Sequence, residues 1–496
     1  MLQLASIPYC CLYLAIYRIL NLFCCFAALR RTLLNPPLLL DFGILNMFNH
    51  LQENQVICMG SFHPTFATVT ELGDFGPWIS TAVLELPAPV RDADLDPVPF
   101  NVYVERHETS GGILMRTERG ADRAVPSRGY LPVLNAYPCD AAGHRLPEGG
   151  HVALVLPECR LTKTIEGTVM QGRFVEHRFR ITQTAPLPGE PDPTCGLVYT
   201  ERTERLCPAL TGWHEARMAQ AVNGIQLSYG FFEPDFSQGE APAGPFKRQV
   251  QKPERAALIV WLHGAGEGGD EVERAYTGNR VTALSQEKIQ GYFGGAAWVV
   301  VPQCPTFWMD DGVEQLGRSN VSIYSEPLKA LIDEFITAHA DRVDTSRIII
   351  GGLSNGGFMT VRMCADHPDF FAAGVPVCAP FFDENQTPKV IGALAKTPLW
   401  FVHAKGDEAV NPAETVLPLY HRLHEVEAPV HLTYFDHVED LTGRYREADG
   451  APKQVFSHGV WIHVYNDFCR TELDGTNVML DGEPVGLWEW AAHQRR

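Results

Sequence analysis

Positive charge is scarce in this chain. Its 496 residues carry 40 lysine and arginine side chains against 59 aspartate and glutamate side chains, which gives a net charge of −19. An acidic surface argues against nucleic acid or an anionic membrane as a partner and disfavours polyanionic substrates. Internal repeats, low-complexity tracts and clusters with metal-ligand spacing are also missing. The sequence therefore predicts no metal and no cofactor.

A disulfide framework is missing as well. The cysteines number 13, an odd count, and they are scattered without regular spacing. Four of them, Cys10, Cys11, Cys24 and Cys25, lie at the N-terminus, and most of the others stand beside apolar residues. Buried free thiols of this kind suit a reducing compartment. We therefore expect a cytoplasmic protein.

The N-terminal apolar run lacks the features of a secretory signal. Residues 2–29 are almost wholly apolar, with Arg18 as an interruption, but no positively charged region precedes them and no Ala-x-Ala site ends them. One interpretation is an extension outside the working protein, with the true start at Met47 or Met59. A membrane anchor, with Arg30 and Arg31 holding the remainder in the cytoplasm, is the second interpretation, and a secreted protein is the third.

The remaining chain divides into two patterns. Composition is ordinary for a globular protein, with 45% hydrophobic and 20% charged residues. Residues 61–210 contain short alternating segments separated by turns, which predict an all-β immunoglobulin-like sandwich. In residues 173–181 charges alternate cleanly with apolar side chains. A proline-rich break at 185–193 is a linker or a loop near the domain boundary.

Residues 211–496 alternate apolar strand-like runs with helical segments. This pattern predicts an α/β domain with a mostly parallel sheet and helices on both faces. Ligands of such sheets bind at the carboxyl ends of the strands. Residues 236–254 are polar and rich in glycine and proline, so we expect a loop. Residues 436–456 are interpreted as a lid or a surface excursion.

A glycine–serine motif stands at the carboxyl end of one such strand. The apolar run 348–350 is followed by Gly352-Leu353-Ser354-Asn355-Gly356, and a helix-like segment begins near Phe358. Strand, tight turn and helix are the context of the G-x-S-x-G nucleophile elbow, in which the serine hydroxyl is exposed at the sheet edge. Ser354 is therefore the candidate nucleophile.

A second glycine-rich turn lies upstream. The apolar strand 257–262 leads into His263-Gly264-Ala265-Gly266-Glu267-Gly268-Gly269. Such a loop supplies one backbone N–H of an oxyanion hole, and the residue after the nucleophile supplies the other. The candidate donors are the amide of Ala265, or alternatively Gly266, and the amide of Asn355.

An acid and a base should follow the serine in that order. Asp407 stands at the carboxyl end of the strand 399–403, with Glu408 as the less favoured neighbour. His458 lies in a loop just before an apolar helical piece, which suits a catalytic base. His437 is the alternative base, and His463 is interpreted as a packed core residue. His263, Trp308 and Trp461 are the candidate walls of a substrate pocket.

These residues resemble a known family. The segments His263–Glu267, Leu353–Thr360 and His458–Asp467 resemble α/β-hydrolases of the esterase and prolyl-oligopeptidase-like group. More narrowly, the chain from Met59 looks like esterases that carry an N-terminal immunoglobulin-like domain. The resemblance implies carboxylic ester hydrolysis without a cofactor and assigns Ser354, Asp407 and His458 to a catalytic triad. This sequence departs from the family around the histidine, where Ser457 precedes it and Gly459 follows.

The sequence thus predicts three segments: an extension at 1–60, an immunoglobulin-like sandwich at 61–210 and an α/β-hydrolase domain at 211–496. The expected activity is that of a serine esterase acting on small-molecule or polymer-borne esters. A serine peptidase with the same triad is one alternative, and a non-catalytic binding protein on a hydrolase scaffold is another. We expect no nucleic-acid partner, and a membrane only if the N-terminal run is an anchor.

Overall fold

A computed structural model of the protein describes residues 62–95, 99–117, 124–164, 172–187, 196–237, 240–243 and 248–496. The predicted N-terminal extension lies outside the described residues, as does most of the proline-rich break. Within the described residues, no helix is long and apolar enough to cross a membrane.

The first part of the described chain is all β. Its strands are β1 (Thr65–Gly73), β2 (Gly76–Arg91), β3 (Phe100–Glu108), β4 (Met115–Thr117), β5 (Ala124–Pro126), β6 (Arg128–Leu131), β7 (Asn135–Cys139), β8 (Glu148–Arg160), β9 (Thr162–Thr164), β10 (Gly172–Gln183), β11 (Val198–Tyr199) and β12 (Glu201–Leu206). One sheet has the order β12-β1-β2-β8-β7 and another the order β11-β10-β3-β6, with β9 pairing to β10. All pairs in both sheets are antiparallel except β1 with β12.

These two sheets share one apolar core. Ala82 and Leu154 of the first sheet pack in the same buried cluster as Val104 and Ile181 of the second. Strand β10 shows how the sequence specifies this arrangement, because its buried side chains alternate with exposed arginines. The alternation predicted at 173–181 is therefore confirmed. The comparison of this layer with immunoglobulin domains stays a prediction.

The second part is built on an eight-stranded sheet. Its strands run in the order β13-β14-β18-β17-β19-β20-β21-β22, and the pairs from β18 through β22 are parallel. The strands of this part are β13 (Trp213–Arg217), β14 (Ser228–Phe232), β15 (Glu240–Ala243), β16 (Arg248–Gln251), β17 (Ala256–Leu262), β18 (Ala297–Gln303), β19 (Val343–Leu353), β20 (Ala373–Val377), β21 (Leu399–Ala404), β22 (Val430–Phe435), β23 (Val438–Glu439), β24 (Gln454–Val455), β25 (Met479–Leu480) and β26 (Glu483–Pro484).

Helices cover both faces of this sheet. They are α1 (Val272–Thr277), α2 (Glu287–Tyr292), α3 (Ser325–Ala338), α4 (Asn355–Asp366), α5 (Pro388–Leu394), α6 (Val416–Glu425), α7 (Trp461–Tyr465) and α8 (Leu487–His493). Strand β17 is buried along its whole length, and its alternate side chains enter two different cores, Leu258 with Leu331 of α3 and Ile259 with Trp488 of α8. A continuous apolar run is what a strand covered on both faces requires. The predicted α/β-hydrolase fold is confirmed.

The predicted loop at 236–254 was wrong in part. Strands β15 and β16 form an antiparallel pair inside it. Glycine and proline are typical of loops, so the sequence did not indicate these strands. Pro242 is tolerated here because its strand pairs with only one neighbour. The predicted lid or surface excursion at 436–456 likewise contains a short antiparallel pair, β23 with β24.

The chain passes from the all-β part to the large sheet between β12 and β13, where the predicted boundary at residue 210 falls. Residues Pro64–Arg496 form one compact unit. Polar contacts join the two parts, including Arg205 with Glu273 and Arg444 with Glu71. The division into two separate domains stays a prediction.

Candidate active site

The turn that carries Ser354 is held by close backbone approach. Strand β19 ends at Leu353 and helix α4 begins at Asn355, so Ser354 stands alone between them with φ 53° and ψ −117°. A β-carbon at Gly352 would lie 2.6 Å from the carbonyl oxygen of Leu262, and one at Gly356 would lie 2.1 Å from the same atom. Only glycine fits both positions. The serine is therefore fixed in a strained left-handed conformation at the sheet edge.

Three side chains predicted from the sequence form one hydrogen-bonded row. The Ser354 hydroxyl lies 2.9 Å from Nε2 of His458, and Nδ1 of the same ring lies 2.8 Å from Oδ2 of Asp407. Because an ionised carboxylate only accepts hydrogen bonds, Nδ1 carries the ring proton and Nε2 is free to accept from the serine. All three residues are less than one-tenth exposed.

The Asp407 carboxylate is surrounded by donors. Its Oδ1 accepts from the amides of Ala409 and Val410, at 2.9 and 2.8 Å, and its Oδ2 accepts from His458 and from Nε2 of His403. Burial by itself would raise the pKa of Asp407, but these hydrogen bonds outweigh it and hold the pKa well below its usual range. The carboxylate stays charged at any pH where the protein would be assayed.

The neighbouring imidazole is shifted in the opposite direction. Burial would lower the pKa of His458, but the Cys378 sulfur and the Asp407 carboxylate favour the protonated ring and raise the pKa above its ordinary value of 6.5. A base with a raised pKa takes a proton more readily once it is neutral. It must, however, first lose its own proton to the solution.

Side chains hold most of the carbonyl groups of the loop after β17. Nδ1 of His263 donates to the Gly264 carbonyl at 2.7 Å, the buried Arg274 guanidinium bonds the carbonyls of Gly266 and Gly268, and Nε2 of Gln303 donates to the carbonyls of Glu267 and Gly269. In a planar peptide the N–H points opposite to the C=O. Because the Gly264 carbonyl is held by His263, the Ala265 amide of the same peptide points in the opposite direction.

One amide of this loop and one amide next to Ser354 have no protein acceptor. The amides of Ala265 and Asn355 make no hydrogen bond within the described part of the chain, whereas the Ser354 amide donates to the Val377 carbonyl at 2.8 Å. Pairing of Leu262 with Gly352 brings the two turns side by side, and a β-carbon at Gly264 would meet the Leu353 side chain at 2.6 Å. The Asn355 amide also lies at the N-terminus of α4, where the helix dipole favours negative charge.

The predicted pocket residues lie at different depths. His263 is 1% exposed, both its nitrogens are bonded, to the Gly264 carbonyl and the Cys304 amide, and burial lowers its pKa to about 4. Trp308 is fully buried and packs against His263. The structure therefore places these two beneath the glycine-rich loop. Trp461 packs edge-on against His458, with ring centres 5.6 Å apart.

The less favoured candidates stand in other surroundings. Glu408 is exposed, and Nε2 of the exposed His437 lies 3.2 Å from Glu439. His463 is buried against Phe435, and burial lowers its pKa to about 4. This agrees with its interpretation as a core residue.

Two residues next to the row were missed by the sequence analysis. His403, on β21, is fully buried, and its Nε2 lies 3.1 Å from both Oδ2 of Asp407 and the carbonyl of Val410. Cys378, directly after β20, places its sulfur within 4.8 Å of a carboxylate oxygen of Asp407 and a ring nitrogen of His458. Neither stands in a local motif, because both reach the site through the order of strands in the sheet.

A cavity adjoins the loop that carries His458. Its volume is about 420 Å³, and it is lined from both parts of the chain by Asp74, Phe75, Gly76, Trp78, Glu158, Arg160, Asp440, Tyr445, Lys453, Val455, Phe456 and Ile462. Phe75 packs against Phe456 in a tilted arrangement, with ring centres 5.6 Å apart, and would touch a β-carbon at Gly459. The β1–β2 turn thus packs directly against the residue that follows His458.

Comparison with known proteins places this site in a family context. Residues 308–390, which include Ser354, match the model of the prolyl oligopeptidase family. The putative esterase NocK of Nocardia uniformis subsp. tsuyamanensis is 32% identical over 122 residues, which are 24% of this chain and 32% of that protein. Poly(3-hydroxyalkanoate) depolymerase C of Paucimonas lemoignei is 29% identical over 133 residues, 25% of this chain and 28% of that protein. The matches thus span about a third of each curated relative.

One solved structure resembles nearly the whole chain. A thermostable esterase superposes with a TM-score of 0.63 at 20% identity, covering 87% of this chain and 100% of that one. At this identity the likeness establishes the fold alone.

Proposed function

Because this chain is an α/β-hydrolase of the esterase and prolyl-oligopeptidase-like group, we propose that it hydrolyses carboxylic esters through Ser354, His458 and Asp407. The observation that carries the proposal is the unbroken hydrogen-bonded row from the Ser354 hydroxyl through His458 to Asp407, with distances of 2.9 and 2.8 Å. Such a row activates a hydroxyl that is otherwise a weak nucleophile.

In the first half-reaction, the Ser354 oxygen attacks the ester carbonyl carbon and its proton moves to Nε2 of His458. The tetrahedral intermediate collapses as that proton passes to the leaving alcohol oxygen, which leaves an acyl group on Ser354. In the second half-reaction, His458 takes a proton from water, and the resulting attack releases the acid and restores the serine. Asp407 keeps the proton on Nδ1 and stabilises the imidazolium.

The negative oxygen of each intermediate needs donors that are already in place. The unpaired amides of Ala265 and Asn355 are suited to this role, because the tethered carbonyls of the 264–269 loop prevent reorientation when charge develops. Gly266, next in the chain, is the alternative donor. We assign no metal or organic cofactor to the reaction.

Peptide hydrolysis is the second candidate. The match of residues 308–390 to the prolyl oligopeptidase family favours it, whereas the two curated relatives carry esterase and depolymerase names. An amide nitrogen leaves only after protonation, so peptides demand more of His458 than esters do. We favour ester substrates for this reason and because a cavity lined in part by aromatic side chains adjoins the histidine loop.

The deciding experiment compares substrates and one variant. The full chain and its Ser354→Ala variant are assayed with p-nitrophenyl acetate, butyrate and octanoate and with p-nitroanilide peptides. A fluorophosphonate probe labels any activated serine independently of substrate choice. We expect ester turnover and labelling by the wild type and neither by the variant.

Each other outcome has a definite meaning. Turnover of anilides at rates comparable to those of the esters would replace the esterase with the peptidase. Folded wild-type protein that neither turns over an ester nor takes the probe would exclude a serine hydrolase and favour a binding protein on this scaffold.

A further inference from the structure

We propose that Cys378, Asp407 and His458 form a binding site for a thiophilic divalent cation such as Zn²⁺, and that the bound cation inhibits the enzyme. The ligand atoms of these three residues, the cysteine sulfur, a carboxylate oxygen and an imidazole nitrogen, all lie within 4.8 Å of one another. Two of the three belong to the proposed catalytic row, so the inhibition rests on the proposed function, whereas the binding does not.

The chemistry of the donor set selects the cation. Thiolate, imidazole and carboxylate are the ligands that proteins use for Zn²⁺, and thiolate discriminates against the hard cations Mg²⁺ and Ca²⁺. Three protein ligands with a fourth position left for water is the arrangement of an open zinc site. Here the Ser354 hydroxyl lies 2.9 Å from Nε2 of His458.

The site needs only a small rearrangement. In a tetrahedral Zn²⁺ site, neighbouring ligand atoms lie roughly 3.4–3.6 Å apart, as follows from metal–ligand bonds of about 2.0–2.3 Å. Separations of up to 4.8 Å therefore shorten by at most about 1.4 Å. Rotation of the His458 side chain can supply that shift, because His458 lies in a short 3-10 turn and packs against the side chain of Trp461.

The fold holds Cys378 firmly toward the other two residues. It follows β20, next to the strand that leads to Asp407, and its amide donates to the Val402 carbonyl at 2.8 Å. Its φ of 38° is left-handed, which a cysteine adopts only when its surroundings impose it. The side chain is fully buried. The sulfur is therefore preorganised, and the ordering cost of binding falls mainly on His458.

The binding step is a proton exchange. The cation forms bonds to the Cys378 sulfur, a His458 nitrogen and an Asp407 oxygen, the S–H bond breaks, and that proton is released to solvent. One imidazole nitrogen of His458 then binds the metal while the other carries the ring proton, so neither nitrogen can accept the serine proton. Removal of the cation by a chelator restores the thiol and the free base, so the inhibition is reversible.

The test measures binding and inhibition separately. Wild type, Cys378→Ser, Cys378→Ala and a control, Cys364→Ala, are titrated with Zn²⁺, Co²⁺ and Mg²⁺. Binding is followed by calorimetry and, for Co²⁺, by the near-ultraviolet absorption of a cobalt–thiolate bond. Cys364 is fully buried in an apolar core, and within the described residues it belongs to no such ligand group. Inhibition is expressed relative to the metal-free rate of the same variant.

We expect Zn²⁺ and Co²⁺, but not Mg²⁺, to inhibit the wild type reversibly, with one Co²⁺–thiolate band. Loss of the sulfur should weaken binding by about tenfold or more and abolish the band, since even outer-shell changes at metal sites cost that much. Cys364→Ala should behave as the wild type. Equal Zn²⁺ inhibition of the wild type and Cys378→Ser, or no cobalt–thiolate band, would overturn the proposal. If the wild type hydrolyses no ester, the Co²⁺ band still decides whether the site exists.

Discussion

Replacing Asp407 by asparagine is the most informative change at this site. The substitution keeps the size of the side chain but converts one oxygen into an NH₂ donor. Both oxygens of Asp407 now accept two hydrogen bonds each, Oδ1 from the amides of Ala409 and Val410 and Oδ2 from His403 and His458. In either orientation, the new NH₂ group of asparagine faces two donors.

The least costly solution inverts the imidazole. The backbone amides cannot change, so the asparagine oxygen stays with them and its NH₂ group faces His458, which must then accept on Nδ1 and carry its proton on Nε2. In that tautomer, Nε2 cannot accept the serine proton. A histidine locked in the wrong tautomer lowers kcat by about 10⁴-fold in serine hydrolases, which corresponds to ~5.5 kcal/mol in the activation free energy.

The assay is kcat and KM for p-nitrophenyl butyrate over a range of pH, with circular dichroism to establish folding. Glu408→Gln is the matched control, because Glu408 is the exposed neighbour in the same turn, and it should retain wild-type kcat. A loss of less than about tenfold in folded Asp407→Asn protein would refute the argument, since it would mean that the tautomer of His458 is not set by Asp407.

Three further predictions concern the base, the turn and the glycine-rich loop. Because the pKa of His458 is raised above 6.5 and only the neutral ring is a base, kcat/KM should increase with pH and reach half its plateau above pH 6.5. Gly356→Ala should prevent folding or cost more than about 3 kcal/mol of unfolding free energy, measured by urea titration, because its β-carbon would overlap the Leu262 carbonyl. Arg274→Lys should lower kcat between about 10- and 100-fold with little change in KM, because a lysine cannot hold two loop carbonyls in place.

Each of these has its own control. A half-maximal pH at or below 6.5 would contradict the direction of the His458 shift. Gly392→Ala, in α5 with open space around its β-carbon, should stabilise the protein by up to about 1 kcal/mol through helix propensity, so equal effects of the two alanines would contradict the steric argument. An Arg274→Lys variant with lowered kcat and a proportionally raised KM would point to general loss of structure rather than a displaced loop.

Local sequence was sufficient to predict the parts of the site whose backbone geometry depends on particular residue types. Ser354 stands between Gly352 and Gly356, where any added β-carbon would overlap backbone atoms. The tight turn therefore requires glycine at both positions, which makes it recognisable in the sequence. Asp407 and His458 could be proposed because the order of the three residues along the chain is a family property, and the strands that precede them are continuous apolar runs. The two cores of the large sheet followed from the same runs.

What the sequence did not reveal depends on contacts between distant segments. Cys378 and His403 stand inside or beside ordinary apolar strands, and only the lateral order of β20 and β21 brings them to Asp407. The hydrogen bonds from Arg274 to carbonyls of the 264–269 loop could not be predicted either, because the sequence around Arg274 does not indicate that this arginine is buried. The pair β15–β16 was missed because its residues are no more apolar than a loop.

The contact of Phe75 with Phe456 and Gly459 has a consequence for how this protein can change. The surface beside His458, the proposed catalytic base, is contributed in part by a turn made of residues that precede the hydrolase sheet by more than a hundred positions in the chain. Substitutions in that turn can reshape the neighbourhood of the proposed active site, while the strands that position Ser354 and Asp407 stay as they are. Substrate selectivity and catalytic rate can therefore vary through separate segments of the chain. Exchange of the β1–β2 turn between relatives is a way to alter substrate preference without changing Ser354.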